Sequence, residues 1–299
     1  MGAVDLEAAI GFVVAYGDEV DRARLAYLRT GALPDPELLA RVEAGQVPAA
    51  GWPGRQGGPV ASVDATCFRF AELDDLGALG RPAARQALDW LAETQRPDGT
   101  WEEDPALAGE APPWARPGDP EARLYLTANA AFWLSAAGLA ARSGGPLDAR
   151  VGGAYAGVVA GAAGAIAGSL RADGSWPSYL VTGWLGAAVL FGQGRYLEAA
   201  RIRAVLGDRL PEVSGADLAW LACSLRRLGV GDDDALLAAA QRRLAETQRT
   251  DGSWPSDDGQ AFTVHTTLTA IRACRPAAGA ERQAPGSGGP RISSASTIV

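Results

Sequence analysis

LAETQRPDGTW at residues 91–101 returns almost unchanged as LAETQRTDGSW at residues 244–254, with nine of eleven positions identical. A shorter copy, SLRADGSW, lies at 169–176 and has lost the glutamine, and QVPAAGWPG at 46–54 is a weaker fourth copy. In the full copies the Asp-Gly pair supplies a left-handed residue that ends a helix, and the tryptophan offers a large flat surface. The string is therefore predicted to be the connector of a repeated helical hairpin.

The composition predicts a helical protein with a sizeable core. Of the 299 residues, 47% are hydrophobic and 21% are charged, and β-branched stretches are scarce. The net charge of −8 and the scattered basic residues argue against a nucleic-acid partner, because phosphate neutralisation needs a clustered basic face. Three isolated cysteines fit neither a disulfide framework nor a Cys-x-x-Cys metal site.

Two apolar stretches bear on where the protein resides. AAIGFVVAY at 8–16 follows acidic residues rather than the basic flank of a secretory signal, so we expect a cytoplasmic protein. Residues 151–170 carry no charge and have glycines spaced like those of a membrane helix. Because Ala and Gly contribute little transfer free energy, we expect a soluble helix there, with peripheral membrane contact as an alternative.

Between the connectors, segments that are apolar nearly all round alternate with segments that carry one polar face. The apolar segments cover 61–77, 122–139, 179–192, 215–229 and 262–274, and the amphipathic segments cover 81–95, 148–169, 195–206 and 233–248. This alternation predicts an all-α fold with two concentric layers, in which the apolar helices are the inner ones.

The connectors resemble a known repeat. Gln-x-x-Asp-Gly-Ser/Thr-Trp behind an amphipathic helix, as in RQALDWLAETQRPDGTW at 85–101, is similar to the Gln-Trp repeat of squalene–hopene and other class II terpene cyclases. The resemblance covers roughly 36–275 and implies a single (α/α) toroid. Residues 1–35 are then expected to form a helical segment that packs on the toroid. The Pro-, Gly- and Ser-rich residues 276–299 are expected to be a disordered tail.

The resemblance also implies a catalytic acid. Class II cyclases protonate an alkene or epoxide with the middle Asp of an Asp-x-Asp-Asp-Thr-like motif at the start of an inner helix. SVDAT at 62–66 stands at that place, so Asp64 would be the acid, Thr66 the threonine, and Ser62 the replacement of the first carboxylate. The residues alone leave a second interpretation open, in which Asp64 is only a helix N-cap or first-turn acid.

Two other acidic features of the sequence compare with SVDAT as places for an acid. ELDD at 72–75 is predicted to be a solvent-exposed turn at the end of a helix, and Asp217 is the next candidate for an acid at the mouth of the toroid. The chain has no Asp-Asp-x-x-Asp magnesium motif. We expect no cofactor, and magnesium would help only if the substrate carries a diphosphate.

Aromatic residues near the starts of the inner helices are candidates for substrate contacts, because electron-rich faces stabilise carbocations. They are Tyr125, Tyr179, Trp184 and Trp220. His265 is expected to line the inner end of the toroid or to lie in the core. Zinc ligation by His265, as in protein prenyltransferase β subunits, would need an Asp-x-Cys pair that is missing here.

The sequence thus predicts a terpene cyclase-like enzyme that carries out an isomerase-type, proton-initiated cyclisation of a linear isoprenoid or a prenyl diphosphate. Two alternatives remain: a non-catalytic toroid that binds an isoprenoid or a partner, and a protein prenyltransferase β-subunit-like protein. Full-length cyclases of the squalene–hopene type add a second helical domain. A partner protein or a second copy of the chain is therefore a candidate to replace it.

Overall fold

The computed structural model describes residues 3–142 and 155–275, in which α-helices dominate and one isolated bridge joins Pro53 to Ala61. The predicted disordered tail at 276–299 lies outside the described residues. The helices are α1 (Leu6–Tyr16), α2 (Glu19–Thr30), α3 (Pro36–Glu43), α4 (Val63–Asp75), α5 (Pro82–Glu93), α6 (Pro120–Arg142), α7 (Ala156–Ser169), α8 (Leu180–Gly192), α9 (Tyr196–Arg209), α10 (Gly215–Arg227), α11 (Ala235–Thr247) and α12 (Thr263–Cys274). Short 3₁₀ turns lie at Pro105–Leu107, Pro113–Ala115, Leu210–Glu212 and Gln260–Phe262.

The even-numbered helices form a closed inner ring. In this ring α2 packs on α4, then α6, α8, α10 and α12 follow, and α12 packs back on α2. The odd-numbered helices stand outside: α5, α7, α11 and α1 each pack against two successive inner helices. The predicted all-α toroid with two concentric layers is confirmed.

Helices α1 and α2 belong to this ring. The segment at 1–35, predicted to be helical and to pack on the toroid at 36–275, contributes these two helices: α2 is an inner helix between α12 and α4, and α1 packs against α12. Residues 6–30 therefore complete the ring, and no structural boundary separates them from it.

The inner and outer helices bury their residues as their patterns require. In α8 every residue from Thr182 to Leu190 is buried, as expected for a helix surrounded by neighbours. In α5 only Ala84, Ala87, Leu88 and Leu91 are buried, which is one helical face. The segment predicted as a soluble helix at 151–170 contains α7, and its residues 151–154 lie outside the described residues. Within the described residues, no helix is long and apolar enough to cross a membrane.

The glutamines of the connectors attach each hairpin to the next one. The side-chain amide of Gln95 donates to the carbonyl of Gly99 in its own connector and, at 2.8 Å, to the carbonyl of Val158 in α7. Gln248 makes the same pair of bonds to Gly252 and to Asp5, the N-cap of α1. The last full copy of the repeat therefore docks on the first helix and closes the ring.

The tryptophans fasten the end of each outer helix to an inner one. Trp101 and Trp254 are fully buried, and their indole N–H groups donate to the carbonyls of Leu91 and Leu244 at 2.7 and 2.9 Å. Trp52 does the same to Glu43, so the weak copy at 46–54 is a functioning connector. These contacts explain the repetition, because α3, α5 and α11 each end in the same kind of fastening, whereas Trp176 of the shorter copy donates to Tyr179.

The ELDD prediction was wrong, since Asp74 and Asp75 are buried in a cluster of ion pairs at the C-terminal end of α4. Arg24 from α2 lies 2.7 Å from Asp75, and Arg227 from α10 lies 3.0 Å from Asp74. Arg272 from α12 pairs with both carboxylates. Ring closure brings these arginines together, and two carboxylates at the negative end of a helix become favourable only with such partners.

Candidate active site

SVDAT opens the inner helix α4 as predicted. Ser62 is the N-cap, and its hydroxyl accepts a hydrogen bond from the N–H of Ala65 at 3.0 Å. Asp64 lies in the first turn and is not the cap, because Ser62 already performs that function. The side chain of Asp64 is therefore free to make other contacts.

Asp64 is held by two aromatic donors. The hydroxyl of Tyr125 on α6 donates to Oδ1 at 2.8 Å, and the indole N–H of Trp114 donates to Oδ2 at 3.0 Å. Asn129, one turn further along α6, donates to the Tyr125 hydroxyl at 3.1 Å and so fixes the direction of its proton. Burial raises the pKa of Asp64, and the hydrogen bonds from Tyr125 and Trp114 oppose that rise.

A second carboxylate lies behind Asp64. Glu103, only 2% exposed, accepts hydrogen bonds from the Ser62 hydroxyl at 2.7 Å and from the backbone N–H groups of Val63 and Asp64 at 2.9 Å each. Burial raises the pKa of Glu103, the three hydrogen bonds lower it, and the charge of Asp64 raises it. The site therefore contains two carboxyl groups at the start of one helix, of which Glu103 is buried and Asp64 is partly buried.

Thr66 does not contact Asp64. It is fully buried, and its hydroxyl accepts from the N–H of Trp52 at 2.9 Å. Thr127 and Thr267 hold Trp101 and Trp254 in the same way. The threonine of SVDAT is thus a connector residue in the structure, because its position on α4 faces the outer layer.

The four predicted aromatic residues form two pairs along the inner helices. Tyr125 and Tyr179 have ring centroids 6.2 Å apart, edge to face. Trp184 and Trp220 are paired in the same way at 5.8 Å. Of these four, Trp184 is fully buried, and within the described residues its indole N–H has no hydrogen-bond partner. An unpaired buried donor is costly in a protein core, so it marks a place where a polar group would be favourable.

His265 stacks on Phe68, with ring centroids 5.5 Å apart, and Phe68 is 46% exposed. Burial lowers the pKa of His265 to about 4, and the charge of Arg24 lowers it further. The imidazole is therefore neutral at pH 7 and adds no positive charge beside the Phe68 ring.

Asp217 lies in the first turn of α10, which is not adjacent to α4 in the inner ring. Burial raises its pKa to about 6, helped by the charges of Asp257 and Asp258. The structure thus gives Asp217 a raised proton affinity without joining it to the Asp64 cluster. Among the described residues, no group of three or more His, Cys, Asp or Glu side chains is placed to hold a metal ion.

Two clefts border Glu103. One of about 330 Å³ is lined by Trp90, Val63 and Glu103 among others, and one of about 540 Å³ by Arg96, Pro105 and Glu103 among others. Neither is lined by Asp64 or by the aromatic pairs. They lie on the connector side of the loop after α5, and we assign them no role in the chemistry at Asp64.

Comparison with solved structures gives the fold a family context. A variant of the type II terpene cyclase MstE from Scytonema, in complex with merosterolic acid A, is 17% identical, covers 90% of this chain and 94% of its own, and has a TM-score of 0.58. Unliganded MstE has a TM-score of 0.57, with 17% identity and coverage of 90% and 96%. A protein from Actinoplanes has a TM-score of 0.54, with 20% identity and coverage of 90% and 97%.

No protein-family model and no curated protein sequence matches the chain. The likeness to the solved structures nevertheless shows that the chain has the fold of type II terpene cyclases. Because the alignments span 94–97% of those chains, the neighbours are of about the same extent as this one.

Sequence reasoning missed two residues of the site. Glu103 and Trp114 lie 39 and 50 residues from Asp64 in the chain, in a segment without helical periodicity. A signal for Glu103 existed: it lies two residues after Trp101, the end of a connector that the repeat places beside the start of an inner helix.

Proposed function

We propose that the protein is a class II terpene cyclase-like enzyme that cyclises a linear isoprenoid by proton transfer from Asp64. One observation carries the proposal: at the start of an inner helix, a carboxyl with raised proton affinity is held between the Tyr125 hydroxyl and the Trp114 indole. The fold shared with type II terpene cyclases supports it.

The chemistry follows from the two opposing influences on Asp64. Burial favours the protonated form, so that the acid is loaded when an apolar substrate binds. Proton transfer to an alkene carbon forms a C–H bond, breaks the Asp64 O–H bond, and leaves a carbocation and a carboxylate. Tyr125 and Trp114 then stabilise that carboxylate by hydrogen bonds, which strengthen as the charge develops.

The aromatic residues of the inner helices suit a cationic intermediate. The π-electron pair of an adjacent alkene forms the C–C bond that closes each ring and leaves the positive charge on the other alkene carbon. This charge is stabilised by cation–π attraction, worth roughly 2 kcal/mol when desolvated. Tyr179, Trp220 and Phe68 are aromatic side chains with part of their surface exposed, and neutral His265 leaves this attraction unopposed. Loss of a proton to a base or capture of water would end the cascade.

The substrate is proposed only as a class. A solved variant of MstE carries geranylgeranyl dihydroxybenzoate as substrate, so a prenylated aromatic compound joins the free isoprenoids and prenyl diphosphates as a candidate. The MstE chains align over 94% and 96% of their own length, so the extent of this chain is compatible with a catalytic function.

The test is incubation of the purified protein with geranylgeranyl dihydroxybenzoate and with linear isoprenoids of three, four and six isoprene units, the latter with and without diphosphate and magnesium. Cyclic products, detected by mass spectrometry, should form with the native protein and disappear in Asp64→Asn. Asp217→Asn is the matched control, because it removes another partly buried first-turn acid on a non-adjacent helix, and it should retain product. Product that survives Asp64→Asn would exclude Asp64 as the acid.

One observation favours a second candidate, a non-catalytic isoprenoid-binding toroid. Both oxygens of Asp64 accept hydrogen bonds, an arrangement that favours the carboxylate. A binding module would take up the same ligands, for example by quenching tryptophan fluorescence, without converting any of them. Saturable binding with no product in either native protein or Asp64→Asn would select this candidate.

A further inference from the structure

Glu103 is a buried carboxylate without a cationic partner. Among the described residues no arginine pairs with it, although the exposed or half-buried acids near it in the chain, Glu102 and Glu110, each have one. What faces Glu103 instead is the N-terminus of α4: two backbone N–H groups and the hydroxyl of the N-cap Ser62.

These donors show which form of Glu103 the site accommodates. The N–H groups of Val63 and Asp64 can only donate, and they approach different oxygens of Glu103, so both oxygens must accept. The Ser62 hydroxyl accepts from the N–H of Ala65 and donates its proton to Glu103. The arrangement fits an ionised carboxylate at the positive end of a helix.

The consequence for Asp64 is electrostatic. A first-turn acid normally gains from the positive helix end, which stabilises its carboxylate and makes it reluctant to hold a proton. Here the negative charge of Glu103 occupies that end and also repels a second charge on Asp64. The flanking carboxylate that SVDAT lacks is thus supplied from the loop after α5.

We propose that Glu103 is a positioning residue for the acid: its carboxylate offsets the positive end of α4 and so keeps the proton on Asp64 until substrate is bound. The inference rests on the proposed function, in which Asp64 is the proton donor. Its test needs no substrate, so its outcome is independent of whether a cyclisation is found.

The experiment is a ¹³C NMR titration of aspartate-labelled protein, with the Asp64 resonance assigned by its absence in Asp64→Asn. Glu103→Gln keeps the shape and removes the charge, and it should lower the titration midpoint of Asp64 by about 1 pH unit. Asp104→Asn is the control: it removes one charge from the next position of the loop, and Asn can still cap the 3₁₀ turn that Asp104 caps. Its Asp64 midpoint should stay at the native value.

A purely structural Glu103 would reduce stability in Glu103→Gln without moving the Asp64 midpoint, and that result would overturn the proposal. If Glu103→Gln does not fold, the order of the two titrations is measured in the native protein instead. In glutamate-labelled protein the midpoint of Glu103 should lie below that of Asp64 and should stay unchanged in Asp64→Asn, because Asp64 still holds its proton when Glu103 ionises. A Glu103 midpoint above that of Asp64, or one that falls in Asp64→Asn, would refute the proposal.

Discussion

Replacing Gly252 by alanine tests whether the last connector closes the ring. Gly252 has a φ of +87°, in the left-handed region, and a Cβ added there would lie 2.3 Å from the carbonyl carbon of Ala8 and 2.4 Å from its oxygen. Both atoms are backbone atoms of α1, so no side-chain movement can relieve the contact. We expect the substitution to force α1 away from the connector.

Gly118 offers a matched control for the magnitude. Its φ is +82°, but a Cβ added there would meet nothing within 4 Å. Gly118→Ala should therefore cost only the left-handed conformation, roughly 1–2 kcal/mol. Gly252→Ala adds an overpacking cost of roughly 1–3 kcal/mol, so its total is about 2–5 kcal/mol. The total is limited by the cost of detaching α1, since detachment relieves the clash.

Two measurements check this reasoning. Urea unfolding should rank the variants as native, Gly118→Ala and Gly252→Ala in falling order of stability. Hydrogen exchange should become faster in residues 6–16 of Gly252→Ala alone. Equal unfolding free energies for the two variants, with native exchange in α1, would refute the idea that the connector closes the ring on α1.

Three further results are expected. Trp101→Ala and Trp254→Ala should each lower the free energy of unfolding by roughly 3–5 kcal/mol in chemical denaturation, because both rings are fully buried; no loss in either would remove them as fasteners. The arginine partners lower the pKa of Asp74 from 3.8 to about 2 against the effect of burial. Ionised Asp74 therefore contributes roughly 2 kcal/mol to the free energy of unfolding above about pH 4, and this contribution is lost as the pH falls toward 2. Asp74→Asn should remove this part of the acid dependence of stability. Asp64→Asn should cost only about 1 kcal/mol in thermal melts, since Asn keeps one acceptor for Tyr125 or Trp114, and a larger loss would give Asp64 a structural role.

Features that depend on neighbours along the chain could be predicted from the amino-acid sequence alone. Helix periodicity separated inner from outer helices, and the Gln–Asp-Gly–Trp string marked the ends of the hairpins, because capping and periodicity are local properties. The same locality placed SVDAT at the start of an inner helix and Asp64 in its first turn. The ring itself followed from the repetition, since each hairpin needs a neighbour to cover its apolar face.

Contacts between groups that are distant in the chain depend on how the helices pack, and sequence patterns do not predict them. Asp74 and Arg272 are 198 residues apart and pair because the ring closes, so a sequence pattern that suggested a solvated turn became a buried ionic cluster. Residues 6–30 are part of the ring because Gln248 docks on Asp5, a contact between the two ends of the described chain. Glu103 and Trp114 reach Asp64 from a segment without regular periodicity, whose path is set by the helices it crosses. Local rules specify each hairpin, whereas the charges around Asp64 depend on how six hairpins fit into one circle.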